Sequence, residues 1–191
     1  MLAVKAFATA VLKDSGIGSR RSALSRRVAP GLARLLAGAL LVVGLLGETP
    51  SNAASNKVRI TNLSDVGFGT IANLNVDAVQ SQSVCVYADT NTSGYNVTGI
   101  GAGPGGAFQL SSGAASMSFD VLWSSSPGQN SGTQLTPNIP LTGQVSSGTH
   151  QSCSNGPATT ASLVVVLRSI ALSSAAAGTY NGTLTLVIGP E

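Results

Sequence analysis

Few side chains in this 191-residue chain have the types and spacing that chemistry requires. His150 is the only histidine, and it lies in the polar stretch S-G-T-H-Q-S-C, which is typical of a loop. A Ser-His-Asp triad would have to use it, and no Gly-x-Ser-x-Gly motif occurs. The aspartates are widely spaced, with no pair suited to acid–base catalysis: Asp65, Asp77, Asp89 and Asp120. We therefore expect no enzyme activity, no metal and no cofactor.

Two further features could bind a ligand, and both have a simpler interpretation. Residues 99–106, G-I-G-A-G-P-G-G, suggest a phosphate loop, but the A-F-Q-L that follows is typical of a strand, whereas phosphate loops lead into a helix. A glycine-rich loop between strands fits better. Trp123 could be a binding aromatic, yet it continues the alternating apolar face that begins at Met117, which favours a core position.

The N-terminal third of the chain has the pattern of an export signal. Residues 35–46, L-L-A-G-A-L-L-V-V-G-L-L, are uncharged, and small residues follow Pro50. Three arginines precede the apolar run: Arg26, Arg27 and Arg34. A basic region, an apolar run and small residues are typical of a secretory signal. We predict that residues 1–54 are this export segment, cleaved after Ala53 with Ala54 close behind, and that the protein meets the membrane only during export.

Two other interpretations of this segment remain open. A membrane anchor would need about 20 apolar residues, and the run at 35–46 is shorter. Ser19, Arg20 and Arg21 resemble a twin-arginine signal, although they lie well upstream of the apolar run.

The charge of the chain is concentrated in the predicted export segment. The whole chain carries a net charge of +3, but from Ser55 onward only three basic side chains stand against five acidic ones, a net charge of −2. A basic character confined to a leader gives no reason to expect a nucleic-acid partner. The predicted exported part, residues 55–191, is expected in the periplasm and then at the cell surface or outside the cell.

Cys85 and Cys153 are the only cysteines, and both follow the export segment. An even count in an exported protein predicts one disulfide. A reactive thiol or a metal pair is the alternative, but no cluster of acidic residues or histidines accompanies the two cysteines.

Short alternating runs separated by Gly, Ser, Asn and Pro fill the chain after Lys57. Such runs predict strands. We expect them at 57–63, 66–71, 83–87, 95–99, 107–110, 116–123 and 162–168, with a last one from Tyr180. The run 162–168, S-L-V-V-V-L-R, is apolar on both faces and should be central. We expect loops from Ser124 to Gly128 and from Asn130 to Thr160, and no helix. Seven or eight strands at this spacing favour one all-β domain, a β-sandwich.

The last strand has a clear apolar face. Tyr180, Leu184, Leu186 and Ile188 share one face, and the other face carries Asn181, Thr183, Thr185 and Val187, until Gly189-Pro190 ends the run. With no strand following it in this sequence, its outer edge is expected to pair with a strand from elsewhere.

The order of these pieces resembles the spore coat protein U domain family. The resemblance covers about residues 57–191: S-V-C-V-Y, G-Y-N-V-T, G-G-A-F-Q-L, a strand ending in Trp123, the second cysteine, L-V-V-V, and the closing A-G-T-Y-N-G-T-L-T-L. The family is pilin-like, and many members are subunits of archaic chaperone-usher pili. The resemblance implies an incomplete immunoglobulin-like sandwich, completed beside the last strand by a periplasmic chaperone and then by a neighbouring subunit, after passage through an outer-membrane usher.

The sequence departs from the pattern of a polymerising subunit of this family at one point, and this bears on the position of such a subunit in a fibre. A polymerising subunit needs a donor strand before its domain, yet between Ala54 and Phe68 only Val58 and Ile60 alternate cleanly. This poor donor suits a tip or chain-ending subunit. The alternative function is a freestanding secreted β-sandwich that binds a surface or a carbohydrate.

Overall fold

The computed structural model describes the backbone of residues 2–12 and all atoms of residues 56–191. Within these residues it contains twelve strands, one short α-helix and a 3-10 turn at Pro104–Gly106. In chain order the elements are β1 (Leu2–Leu12), β2 (Lys57–Thr61), β3 (Val66–Ile71), β4 (Ala78–Asp89), β5 (Gly94–Gly101), β6 (Gln109–Ser112), β7 (Ala115–Ser118), β8 (Asp120–Ser124), β9 (Thr133–Gln134), β10 (Leu141–Val145), β11 (Ala161–Leu167), α1 (Ser169–Ser174) and β12 (Gly178–Pro190). The predicted all-β class is confirmed.

The strands form two sheets. The first has the order β10-β5-β12-β1-β3, and the hairpin of β6 and β7 joins it at β12. The second has the order β2-β4-β11-β8-β9. Neighbouring strands are antiparallel except for β1 and β12, which are parallel. Leu186 and Val97 of the first sheet belong to the same buried cluster as Val86 and Leu163 of the second, so the fold is sandwich-like, with both sheets around one core.

The burial of β11 follows from its sequence. All seven residues of Ala161–Leu167 are buried, and β11 lies between β4 and β8 in the second sheet. A strand with neighbours on both sides and both faces covered needs apolar residues at nearly every position. The prediction that this run is central is therefore confirmed.

The run 116–123 was expected to be one strand, and that expectation was wrong. The chain leaves the first sheet after β7 and enters the second at β8, with Phe119 between them. The Phe119 N–H donates to the carbonyl of Phe108, and the two rings lie 5.7 Å apart. The apolar alternation continues across the switch because both sheets face the same core. Sequence periodicity therefore gave the correct face but not the change of sheet.

Two further expectations were wrong. The stretch 130–160 contains the short strands β9 and β10, and α1 follows β11. With six residues, α1 is too short for helical periodicity to be visible. Distant contacts hold it: the Asp77 carboxylate accepts the Ser169 N–H at 2.7 Å, and the side chain of Leu172 is fully buried.

The predicted disulfide is confirmed. Cys85 on β4 is bonded to Cys153, with their Cα atoms 6.1 Å apart. Polar bonds fix the ends of the segment that carries Cys153. Ser146 Oγ donates to the carbonyl of Val86, and Thr160 Oγ1 accepts the Val86 N–H at 2.7 Å. The disulfide and these bonds together hold a segment with little regular structure against β4.

Trp123 lies in the core, where it joins the two sheets. Its indole Nε1–H donates to the Tyr95 hydroxyl at 3.1 Å, and the two rings meet edge to face with centroids 6.4 Å apart. Both side chains are at most 1% exposed. Burial raises the pKa of Tyr95 to about 12, and the bond from Trp123 only partly offsets that rise.

This raised pKa predicts a loss of stability in alkali. The unfolded chain loses the Tyr95 proton near pH 10, before the folded chain does, so stability is full below pH 10 and falls between pH 10 and pH 12. Two pKa units correspond to roughly 3 kcal/mol of unfolding free energy. Urea unfolding at pH 9, 10 and 11 should give a free energy of unfolding that falls mainly above pH 10, and Tyr95→Phe should reduce the slope in that range by up to about 1.4 kcal/mol per pH unit. Equal slopes in the two proteins would contradict the assignment.

Candidate functional site

The four residues predicted at the strand-pairing edge share one face of β12. Tyr180, Leu184, Leu186 and Ile188 are each at most 1% exposed, and the residues between them are exposed or half-buried. Gly189, which follows Ile188, is buried as well. The alternation read from the sequence is therefore the alternation between core and surface. The strand also extends beyond the prediction, from Gly178 to Pro190.

β12 has a different neighbour on each side. On one side it pairs antiparallel with β5, from Leu184 opposite Gly101 to Pro190 opposite Tyr95. On the other side it pairs parallel with β1, from Leu2 opposite Gly178 to Leu12 opposite Ile188. Its last residues are also anchored, since the Glu191 N–H donates to the Gly94 carbonyl.

β1 lies between β12 and β3. It pairs antiparallel with β3 from Leu2 opposite Ile71 to Ala6 opposite Val66, with a register shift between Val4 and Lys5. In the sheet order, β3 and β12 are connected only through β1. We call the space between β3 and β12 that β1 fills the insertion groove. Its long wall is the edge of β12 that the sequence predicts to bind a strand.

The register of β1 matches its amino-acid pattern. Directly paired residues in a sheet lie on the same face. The residues of β1 with even numbers are all apolar: Leu2, Val4, Ala6, Ala8, Ala10 and Leu12. In the same order they pair with Gly178, Tyr180, Gly182, Leu184, Leu186 and Ile188 of β12. The polar residues Lys5 and Thr9 fall at odd positions, opposite Asn181 and Thr185.

The strand β1 was not predicted from the sequence, because residues 1–54 were interpreted as one export segment. The pattern that indicates a strand is in L-A-V-K-A-F-A-T-A-V-L, where every even residue is apolar and the polar Lys5 and Thr9 have odd numbers. Its pairing partners, 60 and more residues away, cannot be read from that pattern.

An apolar cavity lies at the end of the insertion groove where β1 begins. Its volume is about 360 Å³. It is lined by the end of β3 with the residues after it, and by α1 with the residues before β12: Thr70, Ile71, Ala72, Leu74, Leu172, Ala175, Ala176 and Ala177. Leu2 pairs with Ile71 and Gly178, directly beside this lining. A strand that runs parallel to β12 and starts before that position would place its first residues at the cavity.

A second depression, of about 440 Å³, lies between β7 and α1, with the 82% exposed side chain of Ile170 at its rim. Arg168 beside it binds Asp77 Oδ2 at 2.9 Å and Asp120 Oδ2 at 2.7 Å. The bonds from the Ser169 N–H and from Arg168 lower the pKa of Asp77. Through its bond to Arg168, Asp120 thus helps to position the start of α1.

The other residues considered for chemistry are not brought together. His150 is exposed in a loop, and the glycine-rich run leaves β5 through the 3-10 turn at Pro104–Gly106. No group of three or more His, Cys, Asp or Glu in residues 56–191 is placed to hold a metal ion.

The predicted signal lies outside the described residues. This holds for the apolar run 35–46, the twin-arginine-like Ser19, Arg20 and Arg21, and the cleavage positions Ala53 and Ala54. Among the residues that are described, no helix has the length and hydropathy to cross a membrane.

Taken together, the described residues define an all-β protein of two sheets, whose first sheet contains a strand from a distant segment of the chain. The chain matches no protein-family model, and a search of curated proteins found no significant similarity. The resemblance to the spore coat protein U family therefore stays a prediction made from the residues.

Proposed function

We propose that the exported part of this chain is a structural or adhesive subunit of a chaperone-usher-type pilus, assembled by strand donation into the insertion groove. Its domain is then an immunoglobulin-like sandwich that lacks one strand, the strand between β3 and β12. The partners are a periplasmic chaperone, an outer-membrane usher and neighbouring subunits.

One observation carries the proposal: β3 and β12 are connected only through residues 2–12. If the chain is cleaved after Ala53, those residues leave, and β3 and β12 face a space one strand wide. The edge of β12 then presents unpaired backbone N–H and C=O groups beside the core side chains of Leu184, Leu186 and Ile188. An added strand satisfies the backbone groups and covers the side chains, each worth about 1.5–3 kcal/mol when fully buried.

The place of β2 supports a tip or chain-ending subunit. β2 pairs with β4 within the domain, from Lys57 opposite Asp89 to Thr61 opposite Cys85, and Val58 and Ile60 are buried. Cleavage after Ala53 would leave only residues 54–56 before this strand. That length is too short to reach into the groove of another subunit as a donor.

A donor peptide should stabilise the exported form. We expect a synthetic peptide L-A-V-K-A-F-A-T-A-V-L, which has the apolar alternation that the groove fits, to raise the thermal midpoint of the purified exported protein by several degrees at saturation. The matched control is the same peptide with Asp in place of the alanines that correspond to Ala8 and Ala10, and it should have no effect. A cooperative transition at high temperature that neither this peptide nor a co-expressed chaperone changes would refute the proposal.

The second candidate is a freestanding secreted module that binds a surface or a carbohydrate. The pairing of β1 in the insertion groove favours it, because the first sheet is continuous when residues 2–12 stay attached. N-terminal sequencing of the exported protein separates the two candidates. Retention of Leu2 favours the freestanding module, and an N-terminus near Ala54 favours the pilus subunit.

A further inference from the structure

We propose that residues 2–12 are a built-in occupant of the insertion groove: while attached, they fill it as β1 and exclude strands from other chains. Removal of the export segment then opens the groove. Residues 2–12, which precede the apolar run, thereby gain a role. The opening of the groove on cleavage rests on the proposed function.

The register of β1 fits its amino-acid pattern. The pairing with β12 runs through eleven consecutive residues without a shift. All six positions opposite the core-facing side of β12 are apolar, whereas both polar residues of the segment, Lys5 and Thr9, fall at odd positions, together with Ala3, Phe7 and Val11. A one-residue slip would exchange the two faces and place Lys5 opposite a core-facing position, which strongly disfavours it.

Residue size adds a second argument. Opposite Leu184 and Leu186, β1 has Ala8 and Ala10, and opposite the small Gly178 it has Leu2. Cores pack most densely when large and small residues face each other. Three of the six core-face pairs therefore combine a large residue with a small one, whereas Val4 with Tyr180 and Leu12 with Ile188 are large on both strands and Ala6 with Gly182 is small on both.

The connection between β1 and β2 is long enough for the pairing to form within one molecule. Residues 13–56, 44 in number, join β1 to β2. A chain of that length spans up to about 150 Å when extended, far more than a small domain, so reach does not prevent pairing within one molecule. A tethered strand competes at an effective concentration of the order of mM. Separate partner strands at micromolar concentration therefore lose to it until the connection is cut.

Cross-linking tests the pairing in the full chain, produced in a host with an oxidising cytoplasm so that residues 1–54 are retained. Thr9 and Thr185 are directly paired on the outward face, where parallel strands lie about 4.8 Å apart, within disulfide range. Thr9→Cys with Thr185→Cys should give an intramolecular disulfide. Thr9→Cys with Val187→Cys is the matched control, because an offset of two residues separates the Cα atoms by about 8 Å, too far for a disulfide.

Each result of the cross-linking experiment either supports or overturns the pairing of β1. A cross-link within one chain in the matched pair alone supports the inference. Equal cross-linking of both pairs, none in either, or cross-links only between chains overturns it. None of these results depends on pilus assembly.

Exclusion of other strands is tested with a fluorescent peptide of the sequence of residues 2–12. Ala8→Asp in the full chain puts a charge opposite the buried Leu184 and should eject β1, whereas Thr9→Asp, opposite the half-exposed Thr185, should not. The peptide should bind the Ala8→Asp chain and the exported form about 10² to 10⁴ times more tightly than the wild-type or Thr9→Asp full chain. Equal binding to all four proteins overturns the inference.

The two proposals can fail separately. If the exported form binds donor peptides but the full chain shows no matched cross-link, the built-in strand is refuted and the pilus subunit stands. If the matched cross-link forms but the exported form binds no peptide, the strand pairing stands, and the opening of the groove and the pilus subunit are both refuted.

Discussion

Leu186→Asp is expected to abolish most of the folding stability of the domain. Leu186 is fully buried in the middle of β12, paired with Gly99 of β5 on one side and with Ala10 of β1 on the other. Loss of a buried leucine side chain alone costs about 2–5 kcal/mol. The introduced carboxylate adds its own burial cost or must take up a proton. Since domains have about 5–15 kcal/mol in total, the variant should be largely unfolded near pH 7.

The measurement is urea unfolding followed by circular dichroism, with Thr185→Asp as the matched control. Thr185 is the next residue along β12, is half-exposed and faces outward, so that substitution should cost less than about 1 kcal/mol. Because burial raises the pKa of the introduced carboxyl in the folded state, the deficit of Leu186→Asp should shrink as the pH falls towards about 4 and be smallest below it, where the carboxyl is neutral in both states. Similar losses for the two variants would mean that this face of β12 is not the core face.

The same substitution bears on strand binding. Any strand in the insertion groove lies beside Leu186, so a charge there should also prevent the donor peptide from stabilising the proposed exported form. Thr185→Asp should leave that stabilisation intact. Because β12 is the wall shared by β1 and by the proposed donors, one variant is expected to affect both, whereas Ala8→Asp affects only the strand supplied by the chain itself.

The sequence was informative wherever a local pattern decides the structure. The alternation in β12 predicted its core face, and the apolar run of β11 predicted a central strand. Both patterns report burial, which depends on the periodicity of a few neighbouring residues. The even number of cysteines after a predicted export segment correctly predicted the bond between Cys85 and Cys153.

Features that depend on distant contacts were not predictable. The switch of sheets at Phe119 does not interrupt the alternation, because both sheets cover the same core. α1 begins where the Ser169 N–H donates to Asp77, a residue 92 positions earlier in the sequence, and its Leu172 side chain is buried. β1 was missed because its pattern lies within a segment interpreted as a signal, and only the pairing with β3 and β12 gives that pattern a structural role.

Loss of the disulfide is expected to have the second largest effect on stability. Cys85 and Cys153 are 68 positions apart and at most 6% exposed. For a closed loop of that length the chain-entropy model gives about 4 kcal/mol, a large share of the stability of a small domain. Replacing either cysteine by Ser should therefore lower the unfolding free energy by about 4 kcal/mol and reduce the yield of folded protein.

The double variant Cys85→Ser/Cys153→Ser provides the control. Because either single replacement already breaks the bond, the double variant should lose no more than about 1 kcal/mol beyond a single one, far from the sum of the two single losses. The bonds of Ser146 and Thr160 to Val86 remain in all three variants, so the native segment around Cys153 should keep its ends on β4 while its middle exchanges amide hydrogens faster. Two titratable thiols in unfolded, unreduced wild-type protein, or additive losses in the double variant, would contradict a stabilising disulfide.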